Sequence, residues 1–201
     1  VRKPTVRNFV FVRDDADHLV PLSANNGDDY FKMVGVKFWY DGSPYTGSMY
    51  LNEPFKSSTI NQGKIHLPAG HLGNALWNNV EIANRIKQYD SVGWQVAVHT
   101  QGDKAISETL DAFEKSGIPN NSRHRLEHCL LPSKTDIKRM ATLGVSPSYH
   151  INHLWYYGEA LEDHIIGRER TEKVRPLKEA ENNSLIRSEE RRVGKEGRSR
   201  C

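Results

Sequence analysis

Residues Trp94 to Gly117 read WQVAVHTQGDKAISETLDAFEKSG, and a change of hydrophobic period inside that stretch decides the fold. Trp94 to His99 is a short, valine-rich run suited to a strand. Gln101-Gly102 then marks a turn, Asp103 takes the N-cap position, and Ile106, Leu110 and Phe113 recur at helical spacing. Gly117 stops that helix. A strand followed at once by a helix that folds back over it is a βα unit.

The same alternation continues on both sides. Downstream, Arg125 to His128 reads as a strand, and Ser133-x-x-Asp136 follows Pro132 as a capping box. Ile137, Met140, Ala141 and Leu143 give the next helix its apolar side, and Gly144 precedes a fourth strand, Val145 to Tyr149. Upstream, Val34 to Tyr40 is a strand. Beyond a connection rich in Gly, Pro and Ser, the spacing of Leu72, Ala75, Leu76, Val80 and Ala83 predicts a helix ending near Tyr89. The first thirty residues, with Asp14, Asp15, Asp17 and Asn25-Asn26-Gly27-Asp28-Asp29, read as loops around an edge of the same domain. Four strands with helices between them pair in parallel through right-handed crossovers, which a doubly wound sheet and a closed (β/α)8 barrel both satisfy. The fold class is α/β.

The chain opens on Val1 and closes on Arg187 to Cys201, RSEERRVGKEGRSRC, in which Val193 is the one aliphatic residue. Such a tail has nothing to bury, and it resembles the translation of a common sequencing adapter. The expected organisation is a partial barrel domain over residues 1–186, an internal piece cut at both ends, followed by an adapter-derived, disordered segment over 187–201. That segment holds six of the 28 Lys and Arg and three of the 25 Asp and Glu, leaving 22 of each in the rest of a chain that is formally +3. No basic footprint remains for nucleic acid or an anionic membrane. With Cys201 set aside, Cys129 stands alone, which excludes a disulfide framework. A cytoplasmic location is the expectation. No apolar run approaches the roughly 20 residues of a membrane span. The expected partner is a small-molecule substrate.

Polar residues interrupt three of the strands: Lys37 within the first, His99 at the end of the second and His128 at the end of the third. Side chains alternate along a strand, so Gly35, Lys37 and Trp39 share a face, as do Gln95, Ala97 and His99, and likewise Leu126 and His128. Carboxyl ends of parallel strands are where barrel enzymes assemble their sites. Taken singly, a strand-terminal His is most often a hydrogen-bonded structural residue, and a lone Lys reaches out to water. Together they make a metal-ligand pattern. A buried amine loses its proton readily, which suits it to carbamylation by carbon dioxide, and the carbamate is an anionic oxygen donor able to bridge two divalent ions. Neutral imidazoles are the usual companions of such ions.

Three motifs carry a family resemblance: Gly35-Val36-Lys37-Phe38-x-x-Asp41-Gly42-Ser43, Val96-Ala97-Val98-His99-x-x-Gly102-Asp103-x-Ala105, and Arg123-His124-Arg125-Leu126-Glu127-His128. In order and spacing they resemble consecutive motifs of amidohydrolase family 3, of the metal-dependent amidohydrolase superfamily, over roughly Phe31 to Ala180. The resemblance implies an incomplete (β/α)8 barrel made of the central strands. It implies that Lys37 is the carboxylated, metal-bridging lysine and that His99 and His128 are the two histidines of the second metal position. Asp41 and Asp103 are candidates to orient ligands or substrate, with helix capping the other reading of Asp103. Where many relatives carry Gln-Pro-x-His, this chain has His150-Ile151-Asn152-His153. His153 keeps its place and reads as substrate-facing; Trp155, Tyr156 and Tyr157 read either as pocket wall or as packing. His66, His71 and His164 read as surface residues.

The implied activity is hydrolysis of a non-peptide, amide-type carbon–nitrogen bond by metal-activated water, with one or two divalent ions, zinc first among them on ligand type. The family also implies an N-terminal His-x-His pair and a general-base Asp after the last strand. A His-x-His occurs nowhere here and the base is not identified, so these 201 residues alone are expected to be inactive. Two rival readings are a different metal-dependent barrel hydrolase such as a phosphoesterase, and a metal-free barrel in which Lys37 pairs with a carboxylate and the histidines are packed. Metal analysis separates the second rival from the first reading.

Overall fold

Strand pairing starts where the sequence reading placed only loops. In the computed structural model, which describes residues 5–20, 23, 26–120, 122–185 and 188–190, Asn8–Arg13 forms strand β1 and pairs in parallel with β3, Phe31–Trp39. Between them the short β2, Asn26–Gly27, pairs antiparallel with β3. The acidic and Asn-rich runs on either side of NFVFVR dominate that region's composition. The β-prone residues within it nevertheless satisfy an edge of β3 that would otherwise leave its backbone groups unpaired.

From β3 onward the chain alternates. It runs through α1 (Asn79–Ser91), β4 (Gln95–Thr100), α2 (Asp103–Ser116), β5 (Arg125–His128), α3 (Lys134–Leu143) and β6 (Ser146–His150). Then come α4 (Asn152–Ala160), α5 (Arg168–Thr171), α6 (Leu177–Asn182) and β7 (Ser188–Glu190). The sheet order is β1-β3-β4-β5-β6-β7, parallel throughout apart from β2. This is an α/β fold, an open arc of a (β/α)8 barrel. The tail expected to lie outside the fold contributes the three residues of β7; the rest of it is outside the described residues. No helix among the described residues is long and apolar enough to cross a membrane.

Local chemistry sets the element ends. Ser133 and Asp136 form the expected capping box, each side chain accepting from the other's backbone N–H. Gly117 and Gly144 close α2 and α3 in the left-handed conformation. The helix expected from Leu72 begins later, at Asn79. Asn78 caps it by accepting from the N–H of Val80 and Glu81. Leu72 and Leu76 belong instead to the connection, where the Leu72 carbonyl accepts from Leu51 N–H and Leu76 N–H donates to the Tyr40 carbonyl. Leu76 and Val80 are each 61% exposed, so the apolar spacing marks no buried helical face.

Register separates the two faces of the sheet. Val36, Phe38, Val96, Val98 and Leu126 are fully buried on the side covered by α1, α2 and α3. The opposite side carries two cross-strand rows: Arg13, Lys37, Ala97, Arg125 and Ser146, then Trp39, His99, Glu127 and Ser148. Those are the rows that a closed barrel turns inward. A second hydrophobic cluster, with Met49, Leu51, Leu130, Leu131, Leu161 and Ile165, packs the loops that follow β3 and β5. It fixes the backbone at the carboxyl ends of the strands.

Gly102 sits at the crowded point of this arrangement: an ideal Cβ there would lie 1.8 Å from the Tyr50 carbonyl oxygen, a backbone atom that cannot swing aside. Gly102→Ala should therefore lower stability by about 1–3 kcal/mol, the usual cost of overpacking, measured as a shifted urea midpoint. A second expectation concerns pH. His124 is buried, its Nδ1 accepts from Val96 N–H at 3.0 Å, and burial pushes its pKa below the ordinary value. The folded state thus binds this proton less readily than the unfolded chain does. Its stabilisation is full above about 6.5 and is lost as pH falls from there toward the folded-state value. A His124→Asn variant keeps the acceptor without the titration and should show a shallower loss of stability between pH 7 and pH 5.

Candidate metal centre

The three residues singled out in the strands stand on adjacent β3, β4 and β5. Lys37 is part-buried and lines a cavity of about 290 Å³ with Phe11, Ala97, Arg125, Glu127 and His128. His99 lies one row further toward the carboxyl ends, its ring centroid 4.6 Å from that of His128. The structure thus brings the His99 and His128 rings together, with Lys37 and His128 on a common cavity.

His128 reaches that place by an irregularity that strand alternation does not anticipate. In register it pairs with Thr100 and follows Glu127, so a regular strand would not put it on the face of His99. Alternation alone groups it with Leu126, and Leu126 is packed against the helices. A left-handed backbone at His128 (φ 70°) and Cys129 (φ 40°) breaks the alternation. Such conformations are costly for non-glycine residues and cluster at functional sites.

Both imidazoles are held neutral. Burial lowers His99 to a pKa of about 4, and burial aided by the charges of His99, Lys37 and His150 pushes His128 far down. His99 Nε2 lies 3.2 Å from the Gly42 carbonyl. A carbonyl accepts only, so the ring proton belongs on Nε2 and Nδ1 is left with the lone pair. This donor set fits a divalent metal in part: His99 and His128 offer two nitrogens, and Lys37 offers an oxygen once carbamylated. Among the described residues no group of three or more His, Cys, Asp or Glu is placed to hold an ion.

Asp41, expected to orient ligands or substrate, is fully buried. Its carboxylate accepts from the backbone N–H of Tyr50 (3.0 Å), Gln101 (3.0 Å) and Gly102 (2.9 Å), and Oδ1 lies 3.8 Å from His99 Nε2. Burial raises its pKa to about 7, against the lowering effect of those donors. Asp103 is not the N-cap of α2: Gly102 holds that position and Asp103 is the first helical residue. Its carboxylate binds Asn52 through both backbone N–H and side-chain amide, each at 3.0 Å, and it lines a different cavity, with Glu53, Ser133 and Arg170.

His153, on α4, does join the histidines. Its ring centroid is 4.1 Å from His150, 6.4 Å from His128 and 5.3 Å from Tyr45. His150 and Tyr45 were not singled out in the sequence. The three-residue spacing of His150 and His153 just after a strand was the available signal for the first; Tyr45 sits in an aperiodic loop that gives none. Of the aromatic run, Tyr156 and Tyr157 line a cavity with His150 and His153, whereas Trp155 is 85% exposed. His71 is a packing residue, its Nε2 hydrogen-bonding the Gly47 carbonyl and its ring stacked on Phe55.

Replacing Asp41 by Ala would strand three buried N–H groups at once. The expected loss is at least about 1–3 kcal/mol, the cost of even one unsatisfied buried donor, read from equilibrium unfolding.

Comparison with known proteins adds the following. The model of the Amidohydrolase family matches residues 11–186. A metal-dependent hydrolase of Pyrococcus furiosus, itself uncharacterized, superposes with a TM-score of 0.70 at 25% identity, covering 91% of this chain and 36% of that one. An uncharacterized metal-dependent hydrolase of Pyrococcus horikoshii OT3 gives 0.73 at 24% identity, over 92% of this chain and 36% of its own, a likeness of fold. Protein LONG AFTER FAR-RED 3 of Arabidopsis thaliana is 26% identical over 129 residues, 63% of this chain. The chain spans about a third of the length of those two structures and 20% of the plant protein.

Proposed function

The chain belongs to the amidohydrolase family, and on that premise we propose that it serves a metal-dependent hydrolase that cleaves a non-peptide, amide-type carbon–nitrogen bond. The observation that carries this reading is the meeting of two neutral imidazoles, His99 and His128, beside Lys37 at the ends of consecutive parallel strands. Lys37, His99 and His128 would hold one or two divalent ions, zinc being favoured by nitrogen and oxygen donors. When bound, the metal supplies a lowered pKa for water and polarisation of the scissile carbonyl.

The chain's own residues do the rest. Lys37 would become a ligand in two steps, the ammonium losing a proton to water and the free amine then bonding to the carbon of carbon dioxide with release of a second proton, which replaces a cation by an anionic oxygen donor. Gly42 fixes the His99 tautomer through its carbonyl, and Asp41 fixes Gly42 by bracing the loop around it. His153 faces substrate from α4. Burial of the imidazoles keeps protons from competing with metal at neutral pH.

In the full-length protein, Lys37→Ala should remove bound metal and lower turnover by more than about 100-fold, beyond what loss of an outer-shell partner costs. Added short carboxylic acids should restore part of the activity by replacing the carbamate. His99→Ala and His128→Ala should also lose metal, whereas His71→Ala should retain it. Full metal content and turnover in Lys37→Ala would sink the bridging-lysine assignment.

A further inference from the structure

Next to the histidines lies a cavity of about 530 Å³ lined by Tyr45, His150, Asn152, His153, Tyr156 and Tyr157. We propose that it is the substrate's recognition subsite and that it takes an aryl or arylalkyl group, uncharged or anionic, attached to the bond being cleaved. This deepens the hydrolase reading and rests on it for the location of the reacting bond.

Three observations carry the assignment. The first is size: small-molecule pockets run from about 300 to 1,000 Å³, and a benzene ring needs only about 150 Å³. The cavity therefore holds an aryl group together with its linker. The second is the walls. Tyr45 and Tyr157 are in contact at 4.6 Å between centroids, and the two histidine rings lie 4.1 Å apart, so a planar guest meets π-faces and edges. All six lining residues lack a carboxylate or an ammonium group. An ammonium guest would lose its hydration with no carboxylate to replace it. The third is polar capacity. Asn152 lines the cavity, and its side-chain amide carries both a donor and an acceptor for a carbonyl or amide of the guest.

The subsite also joins the proposed metal ligands directly, because His128 contacts His150 and His153 at 5.7 and 6.4 Å. A guest seated against the rings of Tyr45, His153 and Tyr157 thus has His128 beside it on the histidine side. Helix α4 has no buried residue, and Tyr156 and Tyr157 are 62% and 45% exposed, so they are dispensable for folding.

The test is calorimetric binding to the full-length, metal-loaded protein of three probes: N-benzoylglycine, N-acetylglycine and benzylamine. N-benzoylglycine should bind about tenfold or more tighter than N-acetylglycine, and benzylamine should bind weakest. Tyr157→Ala should erase most of the benzoyl preference while leaving N-acetylglycine affinity and metal content unchanged, and Tyr156→Ala should do so to a smaller degree. Equal affinities for the two acylglycines, a Tyr157→Ala effect that is the same for both, or benzylamine binding tightest would overturn the proposal. The hydrolase reading fails separately. If the wild-type protein holds no metal and hydrolyses no amide yet keeps its aryl preference, that reading falls and the subsite stands.

Discussion

A carboxylate with no contact with water has to be held by donors, and Asp41 finds three of them on two different loops. Tyr50 N–H comes from the connection after β3, and Gln101 and Gly102 N–H from the turn after β4. The cost of burying the charge is thereby tied to one arrangement of both loops, since no neighbouring side chain can replace three fixed amides. His99 lies one residue before the end of the strand that leads into the second loop, and its Nε2 bonds to the carbonyl of Gly42, the residue next to Asp41. The same latch therefore sets the strand spacing, the loop path and the tautomer of a proposed metal ligand.

Around that latch the sheet has two unlike faces. One is packed with Val36, Phe38, Val96 and Val98 under the helices and supplies most of the burial. The other carries Lys37, His99, Arg125 and Glu127, a combination that no hydrophobic core would tolerate. Parallel strands must be covered by crossovers on one side, which leaves the opposite side to the barrel interior. The charged pair Arg125–Glu127, with Nε 2.8 Å from Oε1, compensates two of those groups across one strand turn. The histidines are compensated differently, by remaining neutral.

The second hydrophobic cluster explains why loops at the strand ends are ordered enough to form a site. Leu51 and Met49 from the connection after β3 pack with Leu130 and Leu131 from after β5, and Leu161 and Ile165 from after α4. Loops that carry function need a scaffold, and here it is a core of their own beneath them. Helix α4, without buried residues, is then free to present His153 and Tyr157 to one side and Trp155 to solvent.

The alternation of short β-prone runs with helical faces, read from Val34 to Tyr149, determined the parallel α/β class, and the polar interruptions Lys37, His99 and His128 determined where chemistry was to be sought. Those features are local: period, capping and composition act within a few residues of chain. Tertiary structure alone decided the remainder. It recruited Asn8–Arg13 as a strand, because an unpaired edge of β3 is satisfied by a partner distant in sequence. It moved the start of α1 from Leu72 to Asn79, because the Leu72 and Leu76 backbone groups pair with Leu51 and Tyr40 instead of a helical ladder. It buried Asp41 as a brace between two loops, since its donors lie some 9 and 60 residues away in the chain. It also turned His128 toward His99 through a left-handed backbone, a conformation that no side-chain pattern announces because it is stabilised by the surrounding contacts and not by the residue that adopts it.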